Sequence, residues 1–215
     1  MKKPILIIVA AVLAMGINAQ TTVRDAWLNM PDTITPYLTK QMRTELMDLA
    51  NMKIESKVKN LLHGESRIDT ITTDFMQVSL SSSTVMQLRL LHKTDSSTVI
   101  CLLKTYRSPE QESDIIFYTS DWKRDQSRYG LPVFSDDKQF VMSFISKNDS
   151  CTISDIESSL ATLNPIMINA NMSVSSPEIF LGLSTSYMTS DEKEKNKVRH
   201  LQRKFKWNGE IFKEI

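Results

Sequence analysis

Glycine is scarce in this chain of 215 residues. The five glycines are spread along the chain as Gly16, Gly64, Gly130, Gly182 and Gly209. A phosphate-cradling loop or a dinucleotide-binding loop needs several glycines within a few residues, because the backbone has to approach the phosphates closely. The scarcity of glycine therefore excludes both kinds of nucleotide site.

The chain also lacks an excess of charge of one sign. It has 26 basic and 25 acidic residues, which gives a formal net charge of +1. Lys2 and Lys3 belong to the N-terminal segment, so a chain without that segment carries one more acidic than basic residue. A nearly neutral protein has no general attraction to nucleic acid or to anionic lipid, and we predict no nucleic-acid partner.

A long apolar run is absent except at the start of the chain. Lys2 and Lys3 precede an apolar stretch over residues 5–15, and Ala19 ends the segment with a small residue, as in a secretory signal peptide. We predict cleavage of residues 1–19, which makes Gln20 the first residue of a periplasmic or extracellular protein. The stretch is shorter than the roughly 20 residues that cross a bilayer, so no membrane span is predicted.

Histidine and cysteine are too few and too scattered to indicate a catalytic or metal site. His63, His92 and His200 stand alone, whereas a zinc site needs three or four ligands brought together. We therefore predict no catalytic residue, no metal and no cofactor. Cys101 and Cys151 could form a disulfide in an exported protein. The preferred alternative is two unpaired cysteines, because Cys101 lies in an apolar run where a buried thiol acts as a small hydrophobic group.

The first half of the chain shows helical periodicity followed by strand periodicity. Thr35 and Pro36 predict the start of a helix with one apolar face. A second apolar stripe predicts another helix, which Gly64 would end. The two stripes are Leu38, Met42, Leu46 and Leu49, then Ile54, Val58, Leu61 and Leu62. Alternation with period two then predicts an antiparallel hairpin with strands over residues 76–80 and 86–90. A near-continuous apolar run predicts a central strand over residues 98–106 that is buried on both faces, and a fourth strand is predicted over residues 114–119.

The second half repeats the same order of elements. A helix is predicted from Thr152 to Leu163, followed by strands over residues 166–174 and 179–183. Asn208 and Gly209 predict a two-residue hairpin turn of type I′, with a positive φ at both residues, after a strand that contains Phe205. We therefore predict an α+β fold made of a tandem of two helix-plus-antiparallel-sheet units that share or abut one core. The units are residues 20–130 and 131–215.

Several segments resemble an uncharacterised family of exported proteins from Gram-negative gut anaerobes. The leader ends in Asn-Ala-Gln, and the resemblance continues through residues 27–32, 36–39 and 117–122. It covers nearly the whole chain and implies a periplasmic or surface location without a named chemistry. The tandem plan is also similar in topology to the beta-lactamase-inhibitor-like architecture, which implies nothing about function.

One surface has the composition of a binding site. Aromatic and cationic residues follow the strand over residues 114–119, a mixture that is favoured at recognition hot spots. The candidate partner-binding residues are Tyr118, Trp122, Lys123, Arg124, Arg128 and Tyr129. The alternative is that Trp122 and Tyr129 fill the seam between the two units. A run of basic residues over 193–206 is interpreted as a solvated edge strand protected by lysines.

We therefore predict a non-enzymatic binding or interaction module of the bacterial cell envelope, with an envelope protein or a glycan as its partner. The alternative function is a periplasmic carrier of a small ligand or lipid. In that case methionines line an apolar cavity, namely Met76, Met86, Met167 and Met172. An enzyme with a dispersed site ranks third.

Overall fold

A computed structural model describes residues 21–107, 111–132, 142–146, 167–184, 199–200 and 202–215. The leader predicted for residues 1–19, the helix predicted from Thr152 to Leu163, and Cys151 lie outside these residues. The predicted boundary at residue 130 stays a prediction.

Two short helices open the described part of the chain. Helix α1 is Val23–Asn29, and a capping box at Thr22 and Asp25 starts it: the Asp25 carboxylate accepts from the Thr22 amide at 2.9 Å. Helix α2 is Lys40–Asn51, and the Thr39 hydroxyl accepts from the Met42 amide. The helix predicted at Pro36 therefore begins four residues later, because Thr39 provides the N-terminal cap.

The second predicted helix is wrong. Strand β1, Lys57–Lys59, and strand β2, Glu65–Ile71, occupy this part of the chain. Val58 is buried between two exposed lysines, which is a strand pattern, and three of the four stripe residues are exposed: Ile54, Leu61 and Leu62. The turn between these strands has its positive φ, 59°, at His63 and not at Gly64.

Five further strands complete a sheet of seven antiparallel strands in chain order. They are β3, Phe75–Ser79; β4, Thr84–His92; β5, Thr98–Tyr106; β6, Glu112–Thr119; and β7, Arg124–Asp125. The four strands predicted in this region are confirmed. Strand β5 has five consecutive buried residues from Val99 to Leu103, so the apolar run does lie in a strand that is covered on both faces.

A second antiparallel sheet has four strands: β9, Ile168–Met172; β10, Glu178–Leu183; β12, Arg203–Trp207; and β13, Phe212–Glu214. They lie in the order β13-β12-β10-β9. The short strands β8, Ile145–Ser146, and β11, Arg199–His200, pair separately. The strands predicted over residues 166–174 and 179–183 and the hairpin after Phe205 are confirmed, and so is the α+β class.

The turn of the last hairpin differs from the predicted type. Trp207 pairs with Phe212, so four residues connect the two strands. Among those four, only Gly209 has a positive φ, 99°, whereas a type I′ turn needs two such residues. The Asn208 side chain instead accepts hydrogen bonds from the amides of Glu210 and Ile211 at 3.0 and 2.9 Å.

Two apolar cores lie on opposite faces of the seven-stranded sheet. The helix-side core packs α1 and α2 against alternate residues of β3, β4 and β5, with Trp27 and Leu46 fully buried from the helices. The sheet-side core packs the four-stranded sheet against the other face. From the seven-stranded sheet this core contains Phe75, Leu91, Val99, Cys101, Leu103 and Phe117. Residues from both predicted units therefore share the sheet-side core.

Candidate binding groove

A tight turn joins β6 to β7 and positions the first of the predicted site residues. The amide of Thr119 donates to the Lys123 carbonyl at 2.9 Å, and the amide of Trp122 donates to the Thr119 carbonyl at 3.0 Å. Trp122 has a φ of 62°, a left-handed conformation that closes a three-residue hairpin loop. The left-handed conformation is unfavourable for a residue with a large side chain, so the packing of the Trp122 side chain has to stabilise this turn.

Trp122 is a core residue, with 7% of its surface exposed. Its indole nitrogen donates to the Ala26 carbonyl in α1 at 3.0 Å, and its ring lies 5.2 Å from that of Tyr118. The residue therefore joins helix α1 to the seven-stranded sheet. The alternative prediction that Trp122 fills the seam between the two units is wrong, because its indole packs in the helix-side core and the seam lies on the opposite face.

Tyr129 does lie in the seam, as that alternative predicts. Its ring is 5.0 Å from Phe117 of the seven-stranded sheet and 5.5 Å from Trp207 of the four-stranded sheet. Its hydroxyl donates to the Asp125 carboxylate at 2.6 Å. Burial, together with this hydrogen bond, raises the pKa of Tyr129 to about 12, and the same bond holds the pKa of Asp125 below its usual range.

A groove of 450 Å³ opens beside β6 and β7. Arg124 and Arg128 line it, whereas Lys123 lies outside it and pairs with Asp121 at 2.7 Å. The other lining residues are Asp114, Ile115, Ile116, Phe117, Asp125, Gln126, Ser127, Leu131 and Pro132. The structure therefore brings two of the six predicted residues to one concave surface, which we call the β6–β7 groove.

The β6–β7 groove carries two arginines and two aspartates, Asp114 and Asp125. Within the described residues, neither Arg124 nor Arg128 forms an ion pair, and Arg128 donates to the Pro132 carbonyl at a long 3.3 Å. The Asp125 carboxylate already accepts from Tyr129 and from the Ser127 amide. Asp114 lies opposite Lys104 in the β5–β6 ladder. Burial lowers the pKa of Lys104, and the negative charge of Asp114 offsets part of this lowering. Two exposed guanidinium groups are therefore free to meet an anion.

The loop that forms the wall of this groove is held against the second sheet. The Phe212 amide donates to the Tyr129 carbonyl at 2.7 Å. Gly130 has a φ of 80°, and a Cβ at that position would lie 2.4 Å from the Phe212 carbonyl oxygen. A residue with a side chain does not fit there, so Gly130 allows the close approach that positions Arg128.

A second groove, of 650 Å³, lies over β2 and β3 and contains none of the predicted site residues. Asp69 sits at a bulge in β2 and forms the polar centre of this groove. Its carboxylate accepts from Arg67 at 2.7 Å, from the Ser79 hydroxyl at 2.7 Å and from Gln77 at 3.4 Å. The carboxylate is thus already well provided with donors from its own sheet.

The part of the basic run in β12, from Arg203 to Lys206, does not lie in an edge strand, which corrects the prediction for that part. Strand β12 lies between β10 and β13. Lys204 pairs with Glu178 at 3.0 Å, and Arg203 forms a two-pronged contact with Glu214 at 2.7 and 2.8 Å. These cations are neutralised by neighbouring strands, while the lysines over residues 193–197 lie outside the described residues.

The methionines predicted to line a cavity are divided between the two cores. Met76 and Met86 are fully buried in the helix-side core, and Met172 is buried in the sheet-side core. These three side chains therefore line no common cavity, and Met167 is half-buried just before β9. Cys101 is a free thiol in the sheet-side core, where burial raises its pKa.

The sequence patterns did not predict that two arginines are buried. Arg43 lies under the loop before α2, and Arg89 lies between the two sheets; the side chain of each is 1% exposed. Arg89 pairs with Asp74 at 2.8 Å and donates to the carbonyls of Ser173 and Val174. The alternation of polar and apolar residues in β4 placed Arg89 on one face correctly, but it did not show that a second sheet covers that face.

Two further properties hold for the residues that the structure describes. No three histidine, cysteine, aspartate or glutamate residues among them come together as metal ligands. No helix among them is both long enough and apolar enough to span a membrane.

These features define an α+β protein whose central antiparallel sheet carries two helices on one face and a second antiparallel sheet on the other. The chain belongs to the family described as "Protein of unknown function (DUF3256)", which it matches over residues 14–212.

Among solved structures, the chain is similar to a domain of an uncharacterised protein from Porphyromonas gingivalis W83. The two are 19% identical, with a TM-score of 0.74, and the match covers 90% of this chain and 97% of that one. At this level of identity the likeness shows the fold alone. No curated protein matches the chain.

Proposed function

We propose that this protein is a non-enzymatic binding module of the bacterial cell envelope, and that it contacts an anionic partner through the β6–β7 groove. The observation that carries the proposal is the pair of exposed arginines in a concave surface, without carboxylate partners in the described part of the chain. Guanidinium groups bind carboxylate and phosphate groups through two parallel hydrogen bonds, so such a pair selects for negative charge.

Trp122 and Tyr129 support the site as a framework. Both are held by packing and hydrogen bonds on either side of β7, one to helix α1 and the other to the second sheet. A site built on fixed supports loses little conformational freedom on binding. The contact itself is assigned to Arg124 and Arg128, with Gln126 between them in the lining.

The test is photo-crosslinking in cells that export the protein. Benzoylphenylalanine replaces Gln126, which lines the groove. The amount of crosslinked product is then compared between three proteins that carry this replacement: one without a further change, the double variant Arg124→Gln and Arg128→Gln, and the single variant Lys123→Gln. Loss of two charge-assisted contacts should reduce the product about tenfold or more. Lys123→Gln is the matched control, because this lysine lies outside the groove, and it should leave the yield unchanged. Equal yields in all three backgrounds would refute the proposed function.

Export is the second part of the proposal, and it is supported by the signal-peptide pattern at residues 1–19 and by the resemblance to exported proteins. Mass analysis of the purified native protein should find Gln20 at its N-terminus, in the periplasmic or extracellular fraction. A retained leader, or a protein that fractionates with the cytosol, would contradict this part.

A further inference from the structure

We propose that the partner is an extended acidic peptide segment, which adds to the free edge of β6 as a further strand. This inference rests on the proposed function, because it names the chemistry of the partner that the β6–β7 groove receives. It adds a backbone interaction to the charge interaction of the two arginines.

Among the described strands, β7 is the one that pairs with this edge of β6, and it does so along only part of the length of β6. Strand β7 pairs with Tyr118 and Phe117 and ends at Asp125. Strand β6 continues beyond that point to Glu112, and its other edge is paired with β5 throughout. Among the described strands, none pairs with β6 on the β7 side before Phe117. Strand β7 therefore stops where an added strand could continue.

The direction of the backbone groups follows from the turn. The Thr119 amide donates to Lys123, so it faces the β7 side of β6. Backbone groups of an antiparallel strand alternate between its two neighbours, and no register shift interrupts the β5–β6 ladder. The amide and carbonyl of Ile115 therefore face the same side as those of Thr119, into the groove. Asp114 and Ile116 direct theirs to β5.

The size of the groove limits the segment to a few residues. The stretch from Asp114 to Phe117 spans about 10 Å at the usual rise of about 3.4 Å per residue. Ile115, Ile116 and Leu131 supply apolar lining, and Arg124 and Arg128 supply charge. An added strand has side chains that alternate in direction, so apolar and acidic residues in turn would match this lining.

The backbone edge is the reason to choose a peptide over an acidic glycan. A guanidinium pair binds the carboxylates of either partner. A row of backbone donors and acceptors at strand spacing is complementary to another peptide strand, and this is how extended peptides bind other sheet edges. A glycan that binds equally well is therefore an outcome that the test has to detect.

The probe is a fluorescein-labelled peptide of six residues in which valine and glutamate alternate, with both ends blocked, and binding is measured by fluorescence anisotropy. The first control peptide has lysine in place of glutamate. The second keeps glutamate but carries N-methyl groups on alternate backbone nitrogens, in the two possible registers. We expect the acidic peptide to bind at least tenfold more tightly than the lysine peptide and than the one N-methylated peptide whose methyl groups face β6, while the other N-methylated register keeps its binding. A labelled trimer of galacturonic acid is tested beside them.

The matched protein variants are Ile115→Pro and Ile115→Ala. Both remove the isoleucine side chain, but only proline removes the amide that faces the groove, and proline is tolerated at the edge of a sheet. Ile115→Pro should bind the acidic peptide about fivefold more weakly than Ile115→Ala, which corresponds to one ladder hydrogen bond. Circular dichroism checks that both fold. If the proline variant does not fold, the N-methylated peptides test the same hydrogen bonds on the unchanged protein.

The outcomes separate the two proposals. If the arginine variants lose the crosslink in cells while both N-methylated peptides bind as well as the unmodified one, strand addition is refuted and the proposed function stands. Binding of the galacturonic acid trimer as tight as that of the peptide also refutes strand addition. If Arg124→Gln with Arg128→Gln changes neither the crosslink nor peptide binding, both proposals fail.

Discussion

The two faces of the seven-stranded sheet are covered in different ways. On the helix side, the buried rows of β3, β4 and β5 are apolar, and Arg43 finds its partners nearby in the chain. On the sheet side, the contact includes Gln87, Arg89 and Ser113, whose partners lie far away in the sequence. Apolar burial is nondirectional, whereas hydrogen bonds depend on orientation, so the second sheet has the more closely defined position.

The two buried arginines illustrate this difference. Arg43 donates to the Asp32 carboxylate at 2.7 Å, to the Leu38 carbonyl at 2.8 Å and to the Met30 carbonyl, all within 13 residues. Arg89 reaches carbonyl groups more than 80 residues away, in the loop after β9. Arg43 therefore shapes a local loop, and Arg89 connects two distant parts of the chain.

The edge of β9 shows how side chains can replace a missing strand. In the four-stranded sheet, β9 pairs with β10 on one side. Its Met172 amide donates to Gln87 at 2.8 Å, and its Ala170 amide donates to the Ser113 hydroxyl at 2.9 Å. Polar side chains of the seven-stranded sheet thus satisfy the amides that a neighbouring strand would otherwise pair.

The largest expected effect tests the helix side. Trp122→Ala removes a buried indole and should lower the free energy of unfolding by about 3–5 kcal/mol, measured by urea denaturation. Trp122→Phe keeps a ring and loses the bond to the Ala26 carbonyl, so it should cost about 1–2 kcal/mol. A loss below about 1 kcal/mol for the alanine variant would contradict the core role and return Trp122 to the partner surface.

The next effect tests the sheet side. Arg89→Met leaves the carbonyls of Ser173 and Val174 without their donor, and we expect a loss of about 3 kcal/mol in urea unfolding. Arg67→Met is the control, because the Arg67 side chain is 60% exposed and its ion pair with Asp69 should contribute less than about 1 kcal/mol. Unchanged stability of Arg89→Met would mean that apolar packing alone holds the two sheets together.

A smaller effect concerns the amides of β9. Gln87→Leu removes the acceptor of the Met172 amide and the donor to Asn171, and should cost about 1–2 kcal/mol. Hydrogen exchange under native conditions should show faster exchange at Met172, while the Ala170 amide, which donates to Ser113, keeps its protection. Equal acceleration at both amides would indicate that the whole strand detaches, and that the Gln87 contact has no separate role.

The smallest effect is a pH dependence at the end of the second sheet. The hydrogen bonds from Arg203 hold the pKa of Glu214 below its usual range. A lowered pKa in the folded state stabilises the protein above the unfolded-state pKa, and this stabilisation is lost as the pH falls through the folded-state value. Because the pair is partly exposed, Glu214→Gln should cost about 0.5 kcal/mol at pH 7 and nothing at pH 2.5. A difference that persists at pH 2.5 would contradict the assignment.

The strands could be predicted more reliably than the helices. Alternation identified β3 and β4, because a buried face recurs at every second residue, and a near-continuous apolar run identified β5. The stripe from Ile54 to Leu62 satisfied a helical spacing by accident, since most of its apolar residues are exposed. Helix α1 was not predicted, although Thr22 and Asp25 carry its capping signal.

The candidate site was predicted in part. The segment from Tyr118 to Tyr129 was selected for its mixture of aromatic and cationic residues, and two of its cations do line a groove. Trp122, which was predicted to be one of the partner-binding residues, is buried instead. Composition identifies residues that suit an interface, but it does not show which of them the fold leaves at the surface.

What the sequence by itself determined was local: the strand periodicity, the hairpin at Gly209, the scarcity of glycine that excludes phosphate loops, and the signal-peptide pattern. Each depends on residues close together in the chain, where spacing is informative. Only the tertiary structure decided that the polar face of β4 is covered, that Trp122 packs under α1, and that β7 ends early and leaves Ile115 facing the groove. These outcomes depend on which distant segments cover each face and edge, and a periodic pattern identifies a face without identifying its partner.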